Sequence, residues 1–395
     1  MGWRFAQISD VHLGARLPGI EPWLANTLRT ASREAVAACL RQAAEQRCQA
    51  VLIPGDLFDL RGVDPEGCLA FTYEHAARYG QLRVLIAPGN SDAFSLSSPY
   101  SAVKAPPNVT VFTSRDWGMV EVGGVSVTGR GMQVGEGFQD FEPDTVLHPD
   151  AGRPAVLLLH ATLGGVTDGR PLVGQGNGNR GRLPLTEITA AQLAHTGYSY
   201  VALGHLHTHL EVMQGGLAVA AYSGTPQCLD WDEMGPGGFL LGDLVPGGAR
   251  LTFQETAMHR WLRRSFELPV PYAESYPSRL AGVLQDIGRC GADGALLQVA
   301  VAGQLHEDAR GRLQQALAQA REGALHCLEP DLAQVRFFSG LNPQSLPEDS
   351  LLSQYFSRCA AEAAQSKLDP AIYELARRVG WLLFTGQGLP AEIGS

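Results

Sequence analysis

The sequence lacks a long apolar run, and this absence argues against a membrane-spanning protein. A helix that crosses a bilayer needs about 20 consecutive apolar residues, whereas the richest apolar stretches here, at 50–53 and 155–159, are short. The first residues, MGWRFAQISD, also lack a basic segment followed by an apolar stretch and a small-residue cleavage site. We therefore expect a cytoplasmic protein with no membrane segment and no secretory signal.

Paired cysteines and an excess of basic residues are missing too. The seven cysteines are scattered without a CxxC pair, so we predict reduced core residues rather than a zinc or redox site. The formal net charge is −10, with 30 Lys and Arg against 40 Asp and Glu. A protein that holds nucleic acid by its overall field needs clustered Lys and Arg. Affinity for DNA would therefore have to come from bound metals or from a partner subunit.

The residues that are present indicate a globular α/β enzyme, and 395 residues suffice for one large domain and one smaller domain. As far as residue 225, short apolar or β-branched segments that end at Gly, Pro or Asp are typical of strands. An Ala-rich amphipathic segment at 26–47 separates the first two strands, which is the βαβ pattern, while later strands lack long helices between them. We predict a two-sheet α/β sandwich flanked by helices over 1–250 and a smaller α+β domain over 251–395.

The last helix of the smaller domain is predicted from its start signal and its apolar spacing. Asp369 and Pro370 are typical of a helix start. The apolar positions that follow are Ile372, Leu375, Val379, Leu382 and Leu383. We favour this stripe as part of the small domain's own core, with a docking surface for a partner or a second copy as the alternative.

Five short motifs follow predicted strands and carry the candidate chemistry. In chain order they are Asp10-Val11-His12, Gly55-Asp56, Gly89-Asn90, His160 and Gly204-His205-Leu206-His207. The carboxyl ends of strands in an α/β sheet are where ligand sites collect, so these side chains are expected to converge. Any single motif would ordinarily be a turn or a hydrogen-bonded core histidine. Five of them in this order indicate one shared metal-binding site.

The ligand types favour two divalent cations. In an extended segment residues i and i+2 point the same way, so Asp10 and His12 can bind one ion together. Asp56 follows a glycine that lets the backbone turn, and it is the candidate carboxylate that bridges two ions about 3.5–4 Å apart. Oxygen and imidazole ligands suit Mn²⁺, Fe²⁺ or Zn²⁺. Asp59 could orient a ligand, but we favour a cap for the following turn.

The sequence segments that contain or flank the motifs are SDVHLG at 9–14, IPGDLFD at 53–59, YVALGHLH at 200–207 and YSGTPQCLDWDEMGPGGFLL at 222–241. Over about residues 4–245 the chain resembles the calcineurin-like metallophosphoesterases. These four segments resemble the DNA-repair exonuclease branch of that family, the SbcD-like nuclease subunits. The resemblance implies the metallophosphoesterase sandwich and two manganese ions. It also implies that Asp10, His12, Asp56 and His207 hold one ion, and that Asp56, Asn90, His160 and His205 hold the other.

The resemblance further implies a manganese-dependent DNA repair nuclease in which a hydroxide bridging both ions attacks the phosphorus in line. Such a protein works with an SbcC-like coiled-coil ATPase and is often a homodimer, and its C-terminal third resembles a capping or partner-binding domain. Two alternatives stay open. The first is a phosphodiesterase or phosphatase for nucleotides or cyclic nucleotides, and the second is a catalytically impaired scaffold in a repair complex.

Ser91 departs from the family pattern. The family normally has a histidine directly after the asparagine ligand, where it protonates or stabilises the leaving oxygen, and this chain has Ser91 after Asn90. Three explanations are open: a deliberately replaced catalytic histidine, another histidine in its place, or water as the acid. The spare histidines are His75, His148 and His209. Loss of a general acid lowers the rate and leaves binding intact, so we predict metal binding with reduced turnover.

Overall fold

The computed structural model describes residues 2–135, 145–147, 149, 152–164, 187–231, 233, 235–269, 276–291, 295–338, 350–365 and 370–384. The chain divides into two compact units, Met1–Arg260 and Trp261–Ser395. The boundary predicted at residue 250 falls inside a strand, Gly248–Glu255, because Pro246 and Gly247 form a hairpin turn rather than a linker.

The first unit contains fourteen strands and four α-helices among its described residues. The strands are β1 Trp3–Gln7, β2 Ala50–Ile53, β3 Arg83–Ile86, β4 Val109–Val111, β5 Gly118–Val122, β6 Val125–Gly129, β7 Ala155–His160, β8 Thr162–Leu163, β9 Glu187–Ile188, β10 Tyr200–Gly204, β11 Leu210–Gln214, β12 Leu217–Tyr222, β13 Gly238–Val245 and β14 Gly248–Glu255. The helices are α1 Pro22–Glu45, α2 Pro65–Ala77, α3 Pro99–Ala102 and α4 Ala190–His195.

Twelve of these strands form one curled sheet in the order β4-β3-β2-β1-β13-β14-β12-β10-β7-β6-β5, with β11 paired to β12. Strands β1 to β4 run parallel to one another, and β6, β7, β10 and β12 do so as well. The hairpins β5–β6, β11–β12 and β13–β14 are antiparallel. The predicted mixed sheet is therefore confirmed.

The two halves of the curled sheet pack face to face, which confirms the predicted sandwich. One apolar cluster joins Phe5 and Leu52 on one half to Leu158 and Tyr200 on the other. On the outer face of β1–β3, a second cluster packs against α1 and α2. A third cluster lies outside β7 and β10. Strands covered on both faces must be apolar throughout, which is why β2 reads AVLI and is wholly buried.

Helix α1 forms where the Ala-rich segment was predicted. Pro22 occupies its first turn, where the missing N–H costs nothing. Its buried residues recur at helical spacing: Leu24, Ala25, Leu28, Ala31, Ser32, Ala35, Val36, Cys39, Leu40 and Ala43. Because this stripe packs on the outer face of β1–β3, it fixes the strands whose ends carry the first three motifs.

The second unit has four strands and four α-helices among its described residues. They are β15 Trp261–Glu267, α5 Tyr276–Arg289, β16 Leu296–His306, α6 Arg310–Gly323, β17 His326–Cys327, β18 Asp331–Phe338, α7 Leu351–Gln365 and α8 Pro370–Phe384. Strand β16 pairs in parallel with β15, β17 and β18. Helices α5 and α6 are the crossovers, and they share an apolar core with the sheet. The capping or partner-binding role of this unit stays a prediction.

The interpretation of the α8 stripe as core is wrong for three of its five residues, while Val379 is partly buried and the Leu382 side chain lies outside the described residues. Ile372 is 50% exposed, Leu375 47% and Leu383 62%. The helix instead buries Trp381, which packs with Phe356 of α7. The apolar spacing correctly predicted a helix, but periodicity cannot say which apolar residues meet a neighbour.

Two expectations from the sequence concern membrane-spanning helices and the cysteines. Within the described part of the chain, no helix combines the length and apolar character that crossing a bilayer requires. No disulfide joins the seven cysteines, all of which lie within the described residues. Cys39, Cys48, Cys68, Cys228 and Cys327 are buried, whereas Cys290 and Cys359 are partly buried.

Candidate metal centre

The five motifs meet at one edge of the sandwich because each follows the carboxyl end of a strand. Asp10 and His12 follow β1, Asp56 follows β2, and Asn90 follows β3. On the other half of the sheet, His160 is the last residue of β7, while His205 and His207 follow β10. Contacts between the two halves show that these ends meet, since the N–H of His205 donates to Asp10 Oδ1 at 2.9 Å and Nε2 of His160 lies 3.6 Å from Asp56 Oδ2.

The loops that carry the ligands adopt a conformation that L-residues rarely tolerate. Asp10, His12, Asp56 and His205 all have positive φ, at 53°, 50°, 55° and 107°. Each such residue costs on the order of 1–3 kcal/mol unless its surroundings enforce it. Main-chain hydrogen bonds between two loops do so here, since the N–H groups of Val11 and His12 both donate to the Asp56 carbonyl, at 2.9 and 3.0 Å. Residues in such conformations cluster at active and binding sites, which makes this edge a candidate site.

The first group of potential ligands is Asp10, His12 and His207. Their ligand atoms all lie within 4.8 Å of one another. The Nε2 atoms of His12 and His207 are 3.2 Å apart. His207 Nε2 lies 4.0 Å from Asp10 Oδ1. The arrangement leaves one carboxylate oxygen and two imidazole nitrogens facing a common point.

The second group is Asp10, Asp56 and His160, whose ligand atoms also lie within 4.8 Å of one another. Asp56 Oδ2 is 3.6 Å from His12 Nε2 and 3.6 Å from His160 Nε2. Asn90 Oδ1 is 3.0 Å from His160 Nε2. Asp10 thus belongs to both groups, and Asp56 of the second group also approaches His12 of the first. A carboxylate in such a position is what two neighbouring ions would need as a bridge.

The outer ring nitrogens of three of the histidines are held by acceptors, so their Nε2 atoms face inward. His12 Nδ1 lies 2.7 Å from Asp59 Oδ1, and His207 Nδ1 bonds to Glu233. His160 Nδ1 donates to the Pro54 carbonyl at 2.9 Å. Partners of this kind orient metal-binding imidazoles and fix their tautomers. Our preference for Asp59 as a turn cap is therefore wrong, because its carboxylate holds His12.

His205 belongs to neither of the two groups but contacts members of them. Its backbone N–H donates to both oxygens of Asp10, at 2.9 and 3.1 Å. Its ring packs edge-on against His160, with ring centroids 5.3 Å apart. The loop after β10 thus orients the Asp10 carboxylate through the main chain. The role of His205 as a metal ligand stays a prediction.

Ser91 faces the candidate bridging carboxylate. Its backbone N–H donates to Asp56 Oδ1 at 2.8 Å, and its Oγ–H donates to Asp56 Oδ2 at 2.9 Å. Two of the spare histidines have other neighbours. His209 stacks on Phe253, with ring centroids 4.8 Å apart, and His75 bonds to the Phe71 carbonyl within α2. His148 lies outside the described residues.

Sequence reasoning missed Asp92, which is fully buried beneath the site. Its Oδ1 accepts the N–H groups of Asp56 at 3.1 Å and Gly89 at 2.6 Å. Its Oδ2 accepts the Leu57 N–H at 3.0 Å and the Tyr100 hydroxyl at 2.7 Å. One carboxylate therefore ties the loop after β2 to the loop after β3. The available signal was an acidic residue two positions after Asn90.

Three glycines bring these loops close to the ring of His160. A Cβ on Gly55 would lie 2.2 Å from His160 Nδ1, and Gly55 also has φ of +94°. A Cβ on Gly89 would meet Asp56 Oδ1 at 2.4 Å, and one on Gly204 would meet the Pro54 carbonyl at 1.8 Å. The glycine before Asp56 was predicted to allow a turn. It also makes room for a ligand from the other half of the sheet.

The charges at the site favour bound cations. Burial alone would lower the pKa of His12, but Asp59, which also hydrogen-bonds the ring, raises that pKa to about 10, helped by Asp56. Burial alone would raise the pKa of Asp56, yet His160 and His12 lower it to about 2. The site thus holds a carboxylate anion and retains a proton on a histidine. Divalent ions would displace such a proton, so the donor set fits two of them.

Comparison with known proteins agrees with this geometry. The family model described as calcineurin-like phosphoesterase matches residues 4–209. The chain is 24% identical over 278 residues to the uncharacterized metallophosphoesterase YhaO of Bacillus subtilis (strain 168), a match that covers 67% of this chain and 63% of that relative. The match thus spans less than two thirds of the relative's length.

Solved structures with detectable similarity include TT1561 of Thermus thermophilus and a dimetal phosphatase from Danio rerio. The first is 13% identical with a TM-score of 0.37, covering 65% of this chain and 100% of that one. The second is 12% identical with a TM-score of 0.38, covering 65% of this chain and 96% of that one.

Proposed function

Because this chain belongs to the calcineurin-like phosphoesterase family, we propose that it is a manganese-dependent nuclease that hydrolyses phosphodiester bonds of DNA during repair. Family membership makes it a metal-dependent phosphoesterase, and the substrate, the metal and the repair role are the proposal. One observation carries it. The segment at 222–241, which resembles SbcD-like nucleases, contains Glu233, and the Glu233 carboxylate hydrogen-bonds Nδ1 of His207. The flank that distinguishes the branch is therefore part of the metal centre.

The chain's own residues have distinct tasks in this proposal. One ion would be held by Asp10, His12, Asp56 and His207, and the other by Asp56, Asn90, His160 and His205. Bound divalent ions supply Lewis acidity, neutralising charge on the phosphoryl oxygens and lowering the pKa of water. Asp59 and Glu233 keep two imidazoles in the required tautomer. Oxygen and nitrogen donors without a thiolate are compatible with manganese.

The leaving oxygen needs a proton, and Ser91 stands where the family places a histidine. We expect water to supply this proton. General acid catalysis by a side chain typically contributes about 10²- to 10⁴-fold. Turnover is therefore expected to be slower than with a histidine at this position, whereas binding of the metal ions does not depend on the acid.

Binding of DNA is expected to need a partner, because the net charge of −10 does not favour a polyanion. We propose an SbcC-like coiled-coil ATPase as that partner and helix α8 as its docking surface. The stripe of Ile372, Leu375 and Leu383 supports this choice, since these residues are 50%, 47% and 62% exposed. An exposed apolar stripe at helical spacing fits another helix. Homodimerisation and a cytoplasmic location stay predictions.

The deciding experiment compares substrates at saturating Mn²⁺. Purified protein is incubated with single-stranded DNA, double-stranded DNA, cyclic nucleotides and bis-p-nitrophenyl phosphate. We expect DNA to be degraded when the ATPase partner is added, and the variant Asp10→Asn, which removes a charge from both ligand groups, to lose hydrolysis of every substrate. This control excludes a contaminating nuclease. Hydrolysis of the small substrates with intact DNA, also in the presence of the ATPase partner, would rule out the nuclease.

The second candidate is a phosphodiesterase or phosphatase for nucleotides, which the acidic charge favours because small substrates need no basic stripe. The same substrate comparison separates it from the nuclease. A third candidate, a non-catalytic scaffold, is tested by Ser91→His. A rise in hydrolysis of about 10²-fold or more at saturating Mn²⁺ would show a competent site that lacks an acid. No hydrolysis in either form would support the scaffold.

A further inference from the structure

Ser91 makes two donor contacts with the same carboxylate, and they differ in kind. The main-chain N–H reaches Asp56 Oδ1 at 2.8 Å, and the hydroxyl reaches Asp56 Oδ2 at 2.9 Å. Any residue at this position other than proline would supply the first contact, whereas the second needs a short side-chain donor. Asp56 Oδ2 is also the oxygen that lies 3.6 Å from Nε2 of both His12 and His160. The hydroxyl therefore holds the oxygen that faces both ligand groups.

The hydroxyl also orients the neighbouring amide. Asn90 Nδ2 donates to Ser91 Oγ at 3.3 Å. A hydroxyl has one proton and two acceptor lone pairs, so a proton committed to Asp56 leaves Oγ as an acceptor toward Asn90. The Asn90 amide nitrogen therefore turns to Ser91, and its Oδ1 faces His160 Nε2 at 3.0 Å. That orientation presents an oxygen, the only metal-binding atom of an amide, to the second group.

The backbone of Ser91 is fixed from both sides. Its carbonyl accepts the Leu60 N–H at 2.9 Å, which connects it to the loop after β2. The next residue, Asp92, is buried and accepts four donors, including the N–H of Asp56. The main chain that carries the hydroxyl is thus held in place, and the two contacts of Oγ, with Asp56 and Asn90, favour the rotamer that faces the carboxylate.

We propose that Ser91 is a positioning residue that fixes the Asp56 carboxylate and the Asn90 amide for two metal ions, and that it is not the proton donor to the leaving group. The inference rests on the proposed two-metal site. It does not depend on DNA being the substrate, because its first readout is metal binding.

The experiment compares Ser91→Ala and Ser91→Thr with the unaltered protein after removal of metal by a chelator. Binding of Mn²⁺ is measured by calorimetry, and the magnetic coupling of paired Mn²⁺ ions by electron paramagnetic resonance. Loss of the hydroxyl is expected to weaken Mn²⁺ binding about 10- to 100-fold, the range found for groups that orient metal ligands, and to reduce the coupled signal. The threonine variant, which keeps the hydroxyl, should restore both.

Ser97→Ala is the matched control, because Ser97 is exposed in the same loop and its hydroxyl contacts Ser95. Ser91→Gly, which keeps the main-chain contact to Asp56, is a second hydroxyl-free variant if the alanine variant does not fold. Unchanged Mn²⁺ affinity and coupling in a folded hydroxyl-free variant would overturn the proposal, whether or not hydrolysis of bis-p-nitrophenyl phosphate falls. If the unaltered protein itself bound no paired Mn²⁺, the two-metal site would fail instead.

Discussion

The two halves of the metal centre hold their histidines differently. In the first group, His12 and His207 each bond through Nδ1 to a carboxylate, Asp59 and Glu233. In the second group, His160 bonds through Nδ1 to the main-chain carbonyl of Pro54. A carboxylate makes an imidazole more basic and adds a full negative charge near the ion, whereas a carbonyl contributes a dipole.

The difference predicts unequal affinity for two ions in one site. The first group should retain its ion, and the second should exchange it more readily. Asp56 belongs to both halves, because its Oδ2 is equally distant, at 3.6 Å, from Nε2 of His12 and of His160. A variant that acts on one half should therefore weaken one Mn²⁺ binding event, whereas a variant of Asp56 should weaken both.

The largest effect is expected for Asp56→Asn, because Asp56 contacts both halves of the metal centre and its loss should weaken both. Removing the shared negative charge should lower kcat/KM about 10²- to 10³-fold for bis-p-nitrophenyl phosphate and weaken both Mn²⁺ binding events. Calorimetry and steady-state kinetics measure these quantities. Asp243→Asn is the control, since Asp243 pairs with Arg4. A variant that kept one tight ion and normal turnover would contradict a bridging role.

A smaller effect, confined to the first half, is expected for Glu233→Gln. The amide can keep the shape but not the charge that supports His207, so the tighter Mn²⁺ affinity should fall about 10- to 100-fold. The weaker binding event should change less. Glu211→Gln, beside His209, is the matched control. An equal loss at both binding events would remove the proposed asymmetry.

Gly55→Ala should act on the second half. The new Cβ would lie 2.2 Å from His160 Nδ1 at a φ of +94°, so we expect a loss of about 1–3 kcal/mol in the free energy of unfolding and weakened binding of the second ion. Denaturant unfolding and calorimetry test this. Gly80→Ala is the control, because a methyl group added at Gly80 would meet no heavy atom within 4 Å. Normal affinity for both ions would show that His160 tolerates displacement.

The smallest expected effect is on the number of protons that the site releases when it binds metal. The pKa of His12, raised from 6.5 to about 10, means that the metal-free fold binds a proton more tightly than the unfolded chain does. This stabilisation is full below pH 6.5 and is lost as the pH rises through about 10. Metal uptake at pH 8 should therefore release about one proton, seen as a dependence of binding heat on buffer. His12→Gln should lower the release, and His75→Gln should not change it.

Much of the fold could be predicted because its signals are local. The strands before the motifs are short and apolar, and α1 carries a buried stripe at helical spacing. The α8 stripe shows where such reasoning stops, since Ile372 and Trp381 lie on one helix and the first is 50% exposed while the second is buried. Burial depends on which neighbour packs against a face, and spacing does not specify that neighbour.

The sequence by itself determined the ligand types and their order along the chain, because each motif directly follows a strand and strand ends share an edge of the sheet. The tertiary structure decided how those ligands are held. Glu233 reaches His207, and Ser91 contacts Asp56 across 35 positions of the chain. Such contacts depend on how strained loops from different strands approach one another, and a hydrogen bond needs its two atoms within about 3 Å. Adjacency in sequence placed Ser91 beside Asn90, but the fold turned its hydroxyl onto the carboxylate.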